Sequence, residues 1–146
     1  MTTRRRLQIV LLLLTLVFIW GQSCLPKADS AAESQRVMML IAPILEPFAG
    51  KGGVTVHLVR KVAHFVEFAI LGFQLLLLWH DNIRRDILRS LELGFIAAFL
   101  DESIQMLSGR GAQIIDVWLD AGGVAFGVAV GAMITLLRKR LKLQKE

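Results

Sequence analysis

Four stretches of mostly apolar residues alternate with shorter polar segments along this chain, each near the length that carries a helix across a hydrocarbon core of roughly 30 Å. The first is the unbroken run from Ile9 to Trp20, which follows Arg4, Arg5 and Arg6. With Leu7 and Gln8 in front and Gly21 to Leu25 behind, it extends to about nineteen residues, enough to span. The second predicted span runs from about Arg60 to Trp79 and is apolar except for Arg60, Lys61, His64, Glu67 and Gln74. The third runs from about Ile87 to Leu107 and carries Asp101, Glu102 and Gln105. The fourth, from about Asp116 to Leu137, holds Asp120 and the glycines Gly123, Gly127 and Gly131, whose spacing of four puts them on one helical face as a packing stripe. Between the first two spans, the polar Pro26 to Gln35 reads as a loop. Val37 to Leu45, interrupted by Pro43 and closed by Glu46 and Pro47, is too short to span and reads as a short helix in the outer interface. Ala49-Gly50-Lys51-Gly52-Gly53 predicts a flexible turn.

The expected fold is therefore all-α, an integral membrane bundle of four transmembrane helices. Residues 1–25 form a cytoplasmic tag and first anchor, 26–53 an outer loop with the interfacial segment, 54–137 a three-helix core, and 138–146 a basic cytoplasmic tail. An apolar content of 55% supports lipid as the solvent. The first segment is expected to stay as an anchor, since no small-x-small cleavage site ends it. Gly21, Gln22 and Ser23 make a poor lipobox before Cys24, and a single cysteine provides neither an intrachain disulfide nor a cysteine-built metal site. A net charge of +5 would suggest nucleic acid for a soluble protein. Here the basic residues flank the spans and orient them. With the N-terminus inside, eleven of the seventeen Lys and Arg residues lie on the cytoplasmic side and six outside, which predicts both termini in the cytoplasm. The tail from Arg138 then touches anionic lipid, and no nucleic-acid partner is expected.

In that orientation the second helix descends from outside, placing Glu67 about 9 Å below Lys61, with His64 between them on one polar stripe. The third helix travels outward, so Asp101 lies about 9 Å below the outer surface, sharing a face with Gln105, while Glu102 is turned about 100° away. On the fourth, Asp120 lies about 6 Å below Asp116. Three helices thus bring ionisable groups to one depth in the outer leaflet. Charges in a span cost about 2.5 to 3.5 kcal/mol each at its centre, so they should face one another, Lys61, His64 and Arg110 pairing with Glu67, Asp101, Glu102, Asp116 and Asp120. The inner halves hold only Gln74 and Glu92 as main exceptions to an apolar lining, which argues against a proton-driven pump. His57 and His80 are read as solvated loop residues, and Trp20, Trp79 and Trp118 as interfacial at span ends.

Three motifs go further: Arg60-Lys61-x-x-His64-Phe65-x-Glu67-Phe68-Ala69-Ile70-Leu71-Gly72, Asp101-Glu102-x-x-Gln105, and Arg110-Gly111-x-x-x-x-Asp116-Val117-x-x-Asp120-x-Gly122-Gly123. With them the chain resembles the VanZ-like family of small bacterial membrane proteins, named after an accessory protein of teicoplanin resistance, over roughly Val54 to Leu137. Phe68 and Ser108 stand where the family often has tyrosine and proline. The resemblance implies a bacterial inner-membrane protein with a role in the cell envelope or in antibiotic tolerance, and it brings no settled chemistry. The expected binding residues are Arg60, Lys61, His64, Glu67, Asp101, Glu102, Gln105, Arg110, Asp116 and Asp120, meeting a lipid-linked or anionic envelope component. Two other readings stay open. One is a membrane-surface hydrolase or transferase with His64 or Glu102 as general base; the other is a polar network that only holds the helices in register. No cofactor is expected, because the spacing matches no metal-ligand motif; only the enzyme reading would bring in a divalent cation, on Asp101, Asp116 and Asp120.

Overall fold

In the computed structural model the described residues are 2–50, 53–79, 82–109 and 113–144, without the side chains of Lys27, Leu45, Phe48, Ala49 and Leu143. They form five α-helices and no strand: α1 (Thr3–Ser23), α2 (Lys27–Ala49), α3 (Val56–Leu78), α4 (Ile83–Leu107) and α5 (Ile114–Leu143). Capping sets several of the boundaries. The Thr2 hydroxyl accepts from Arg5 N at the start of α1, Thr55 from Leu58 N at the start of α3, and Asn82 from Arg84 N at the start of α4, each relieving an orphan donor of the first turn. Asp116 in the first turn of α5, and Arg140 and Lys142 in its last, complement the helix dipole. Past the end of α4, Gly109 takes a φ of 72°, the left-handed conformation that ends helices at little cost to glycine.

Three of the helices, α1, α3 and α5, are long and apolar enough to cross a membrane. The 25 residues of α4 are long enough, but Glu92, Asp101 and Glu102 dilute its apolar stretch. The residues that mark the third predicted span as interesting are the same ones that make it compositionally weak.

Two expectations need correcting. Pro26 to Gln35 is helix from Lys27 onward, so α2 runs for 23 residues instead of forming a short element after a loop. Ala31, Ala32, Glu33, Gln35 and Arg36 are strong helix formers, Pro26 stands just before the first turn where its missing N–H costs nothing, and Asp29 lies in that turn. Helical pattern outweighed polarity. α3 also begins a turn earlier than expected, at Val56, so His57 is an exposed first-turn helix residue and not part of a loop. His80 lies outside the described residues.

α3 is the hub of the bundle, packing on α1, α2, α4 and most extensively α5. The glycine stripe explains the closeness of α3 and α5. A methyl group added at Gly123 would lie 2.5 Å from the Phe65 carbonyl oxygen, one at Gly127 would collide with the Ala69 carbonyl, and one at Gly131 would reach 2.9 Å from Leu76 Cδ2. The reciprocal notch holds Val124 of α5, which sits against Gly72 of α3 and Gly94 of α4 and is 1% exposed. Small residues that let backbones approach are the usual source of helix association in lipid, where no hydrophobic effect drives it. Phe68, Leu71, Ala98, Val124, Val128 and, from α1, Ile19 make the buried core around this contact.

Candidate functional site

The turns of α3 and α5 nearest their N-terminal ends and the last turns of α4 come together at one end of the bundle. Most of the charged residues picked out along the chain meet there. Asp101 of α4, which is completely buried, accepts from the Ser23 hydroxyl of α1 at 2.6 Å and from Gln105 Nε2, one turn on, at 2.7 Å. Gln105 Nε2 also reaches Ser23 Oγ at 3.3 Å, and Gln105 Oε1 accepts from the Arg60 guanidinium of α3 at 2.8 Å. The Ser108 hydroxyl shares its one hydrogen between the Ser23 and Gln105 carbonyls, at 2.9 and 3.0 Å. Both oxygens of Asp101 are thereby held, and three helices are tied through one amide side chain.

His64 of α3 faces two carboxylates. Its Nδ1 lies 3.8 Å from Asp101 Oδ2 and 3.7 Å from Asp120 Oδ1 of α5, too long for hydrogen bonds. Asp120 is 1% exposed, and neither of its oxygens has a hydrogen-bond partner. Nearer the helix ends, Lys61 pairs with Asp116 at 3.0 Å, each side chain 30% exposed, a partly solvated contact whose worth is about 1 kcal/mol or less. Asp116 is thus drawn to Lys61 and stands apart from Asp101 and Asp120. Glu102, turned away from Asp101 as its position in the helix requires, accepts from the Gln113 backbone N–H at 2.5 Å and so satisfies a donor just ahead of α5. Arg110 lies outside the described residues.

Beside this cluster, between α1, α2 and α3, opens a cavity of about 190 Å³. Arg60, His64 and Glu67 line it from α3, Ser30, Glu33 and Ser34 from α2, and Phe18 and Gln22 from α1. His64 is the one member of the His64, Asp101 and Asp120 group on the cavity wall. Of the expected binding residues, Arg60, His64 and Glu67 therefore share a cavity, while Asp101, Gln105 and Asp120 lie behind it in the bundle.

Several participants were not anticipated. Ser23 joins the network from the first helix, and its signal in the sequence was slight: a small hydroxyl at the polar end of an otherwise apolar span, visible only as part of Gly21-Gln22-Ser23. Ser30, Glu33 and Ser34 lie in the segment read as a loop, where side-chain direction had no meaning until the helix was known. Of the tryptophans, Trp20 Nε1 donates to the Ala97 carbonyl at 3.4 Å, Trp79 follows the last turn of α3 beneath the Arg89 guanidinium, and Trp118 is exposed against Phe95.

The chain matches the VanZ/LLP1 family over residues 8–137. That span takes in α1 and α2 as well as the three motifs, so the likeness reaches well beyond the Val54 to Leu137 core expected from the motifs alone. It agrees with the structure, in which α1 supplies Ser23 to the buried network and α2 walls the cavity. No curated protein and no solved structure gives a significant match. With three helices fit to cross a bilayer and a family match over nearly all of its length, this chain is a VanZ-like membrane protein and belongs to the VanZ/LLP1 family.

Proposed function

We propose that the protein crosses the bacterial inner membrane four times, through α1, α3, α4 and α5, with both ends in the cytoplasm, and binds a charged component of the cell envelope at the outer leaflet. The observation that carries the binding role is the cavity beside the polar cluster, lined by Arg60, His64 and the acidic Glu67 on its α3 wall and by Glu33 on its α2 wall. Such a lining suits a head group carrying both signs of charge, as a lipid-linked cell-wall precursor does with its phosphates and its peptide amine. Engagement of that precursor would in turn alter susceptibility to glycopeptides, which act on the same material. α4 supports its place as a span through Leu93, Phe95, Ile96, Phe99 and Leu100, which it exposes while Asp101, Glu102 and Gln105 are buried, with Glu92 the one carboxylate on the face of Ile96 and Phe99. α2, with two prolines inside it and Met39, Leu40 and Ile44 exposed, suits the outer interface.

The lone cysteine makes the topology directly testable. Cys24 is exposed at the end of α1 that this arrangement puts outside, so a membrane-impermeant maleimide should label it in intact spheroplasts. A Cys24→Ala, Arg84→Cys protein should be labelled only after the membrane is permeabilised. Labelling in the reverse order would overturn the orientation.

For the binding role, the full-length protein in lipid nanodiscs is expected to bind a lipid-linked peptidoglycan precursor, and native mass spectrometry should find an envelope lipid carried through purification. Arg60→Gln and Glu67→Gln should each weaken binding by about tenfold, as loss of one charge-assisted contact does. Expression in a susceptible host should raise the teicoplanin concentration needed to stop growth, and Arg60→Gln should abolish that rise. A protein that carries no envelope lipid, and binds none when titrated, would sink the proposal.

A further inference from the structure

The carboxylate of Asp120 poses a problem that its neighbours do not solve. It is 1% exposed, both oxygens lack a hydrogen-bond partner, and among the described residues the basic group paired with it is His64, at 3.7 Å. Asp101 stands on the other side of the same imidazole nitrogen at 3.8 Å. Two buried carboxylates thus share one histidine, and with both ionised even a protonated imidazole would leave a net negative charge in a low-dielectric interior. An uncompensated charge of that kind costs several kcal/mol in other proteins.

The geometry points to a resident cation: we propose that His64, Asp101 and Asp120 bind a single divalent transition-metal ion, Zn²⁺ or Mn²⁺. One ligand atom from each residue lies within 4.8 Å of the other two. Nitrogen and oxygen ligands about 2.1 Å from a tetrahedral ion stand about 3.4 Å from one another, so the two separations from the imidazole, 3.7 and 3.8 Å, need a few tenths of an ångström of closure, and the two carboxylates, within 4.8 Å of each other, draw together on the ion. The same separations are too long for hydrogen bonds. One imidazole with two carboxylates suits zinc or manganese better than magnesium or calcium, which prefer all-oxygen sites.

The surroundings fit a ligand shell. Ser23 Oγ holds Asp101 Oδ1 and Gln105 Nε2 holds Asp101 Oδ2, so this carboxylate is oriented from behind in the way that supporting hydrogen bonds orient metal ligands. Asp120 has no such support and has both oxygens free to coordinate. Asp116, the third acidic candidate from the sequence, is paired with Lys61 and is replaced in the set by His64. Three protein donors leave a fourth position for water or for an anionic group. The inference stands apart from the head-group proposal: the ion would be present whether or not the cavity binds lipid.

The test is elemental analysis of the full-length protein purified in detergent without chelator, followed by titration of chelator-stripped protein with Zn²⁺ and with Mn²⁺. Close to one equivalent of one of these ions is expected, with a melting temperature that rises by several degrees on reloading. Asp120→Asn and His64→Gln should each weaken binding by at least about tenfold, while Asp116→Asn should leave the stoichiometry unchanged. A parent protein that carries neither ion and takes up neither would overturn the proposal. So would an ion that stays bound with unchanged affinity in both Asp120→Asn and His64→Gln. Because the parent's own metal content is decisive, the conclusion does not depend on either variant folding.

Discussion

Gly127→Ala is expected to lower the stability of the detergent-solubilised protein by about 3 kcal/mol, the upper part of the range for overpacking a tight interior. The reason is what a Cβ would strike. At Gly127 it collides with the Ala69 carbonyl and comes within 2.8 Å of Phe73 N, and these are backbone atoms of α3 that cannot rotate aside. The two helices would have to separate along the whole stripe, disturbing Val124 where it sits against Gly72 and Gly94. Helix propensity alone points the other way, since alanine is favoured over glycine by about 0.8–1 kcal/mol inside a helix. Gly122→Ala isolates that term: its added methyl group meets only Phe65 Cε2, at 3.9 Å, so this variant should be as stable as the parent or slightly more so. Thermal unfolding followed by tryptophan fluorescence compares the three proteins. Equal melting of Gly127→Ala and the parent would mean that α3 and α5 do not touch at this glycine.

Asp101→Ala and Asp120→Asn should separate in the same measurement, made on chelator-treated protein. Removing the Asp101 carboxylate takes the acceptor from the Ser23 hydroxyl and from one N–H of the Gln105 amide, both buried donors, and should cost about 2 kcal/mol. Polar contacts in membranes average nearer 0.6 kcal/mol, because the unfolded state in the bilayer also finds partners. Asp101 exceeds that average because it is ionisable, fully buried and gripped by two donors from two helices. Asp120→Asn removes a carboxylate that accepts no hydrogen bond, so a change under about 1 kcal/mol, or a gain, is expected. The split would divide the cluster into a part that joins the helices and a part kept for another purpose. If Asp120→Asn proves as damaging as Asp101→Ala, both residues serve the fold and the metal site loses its main support.

The two outcomes concern neighbouring carboxylates on one histidine, which explains why the sequence could place them together and yet not tell them apart. Depth along a helix follows from residue number at 1.5 Å each, so the gathering of ionisable groups from three helices near one level was legible once the helices were, although residue number set Glu67, not His64, level with Asp101. The face shared by Gly123, Gly127 and Gly131 was equally local, being a matter of 3.6-residue periodicity.

What the linear pattern could not supply was azimuth: which way each face turns toward its neighbours. That is set by the seating of Val124 between Gly72 and Gly94, a contact among three helices that no single-helix period contains. It sends Asp116 to Lys61, leaves Asp101 and Asp120 to His64, and turns Glu102 to the Gln113 N–H. The same limit hid Ser23, whose importance lies wholly in the carboxylate opposite it. In α2 the failure was different, since polar composition was allowed to outweigh helix-forming residues, and with the helix went the outer wall of the cavity. The sequence by itself determined the four long apolar helices, α2 aside, and the approximate depth of their charges, because these depend on short-range spacing. Only the tertiary structure decided which charge meets which, where the cavity opens and which carboxylate is left without a partner, because those depend on how surfaces far apart in the chain are rotated against one another.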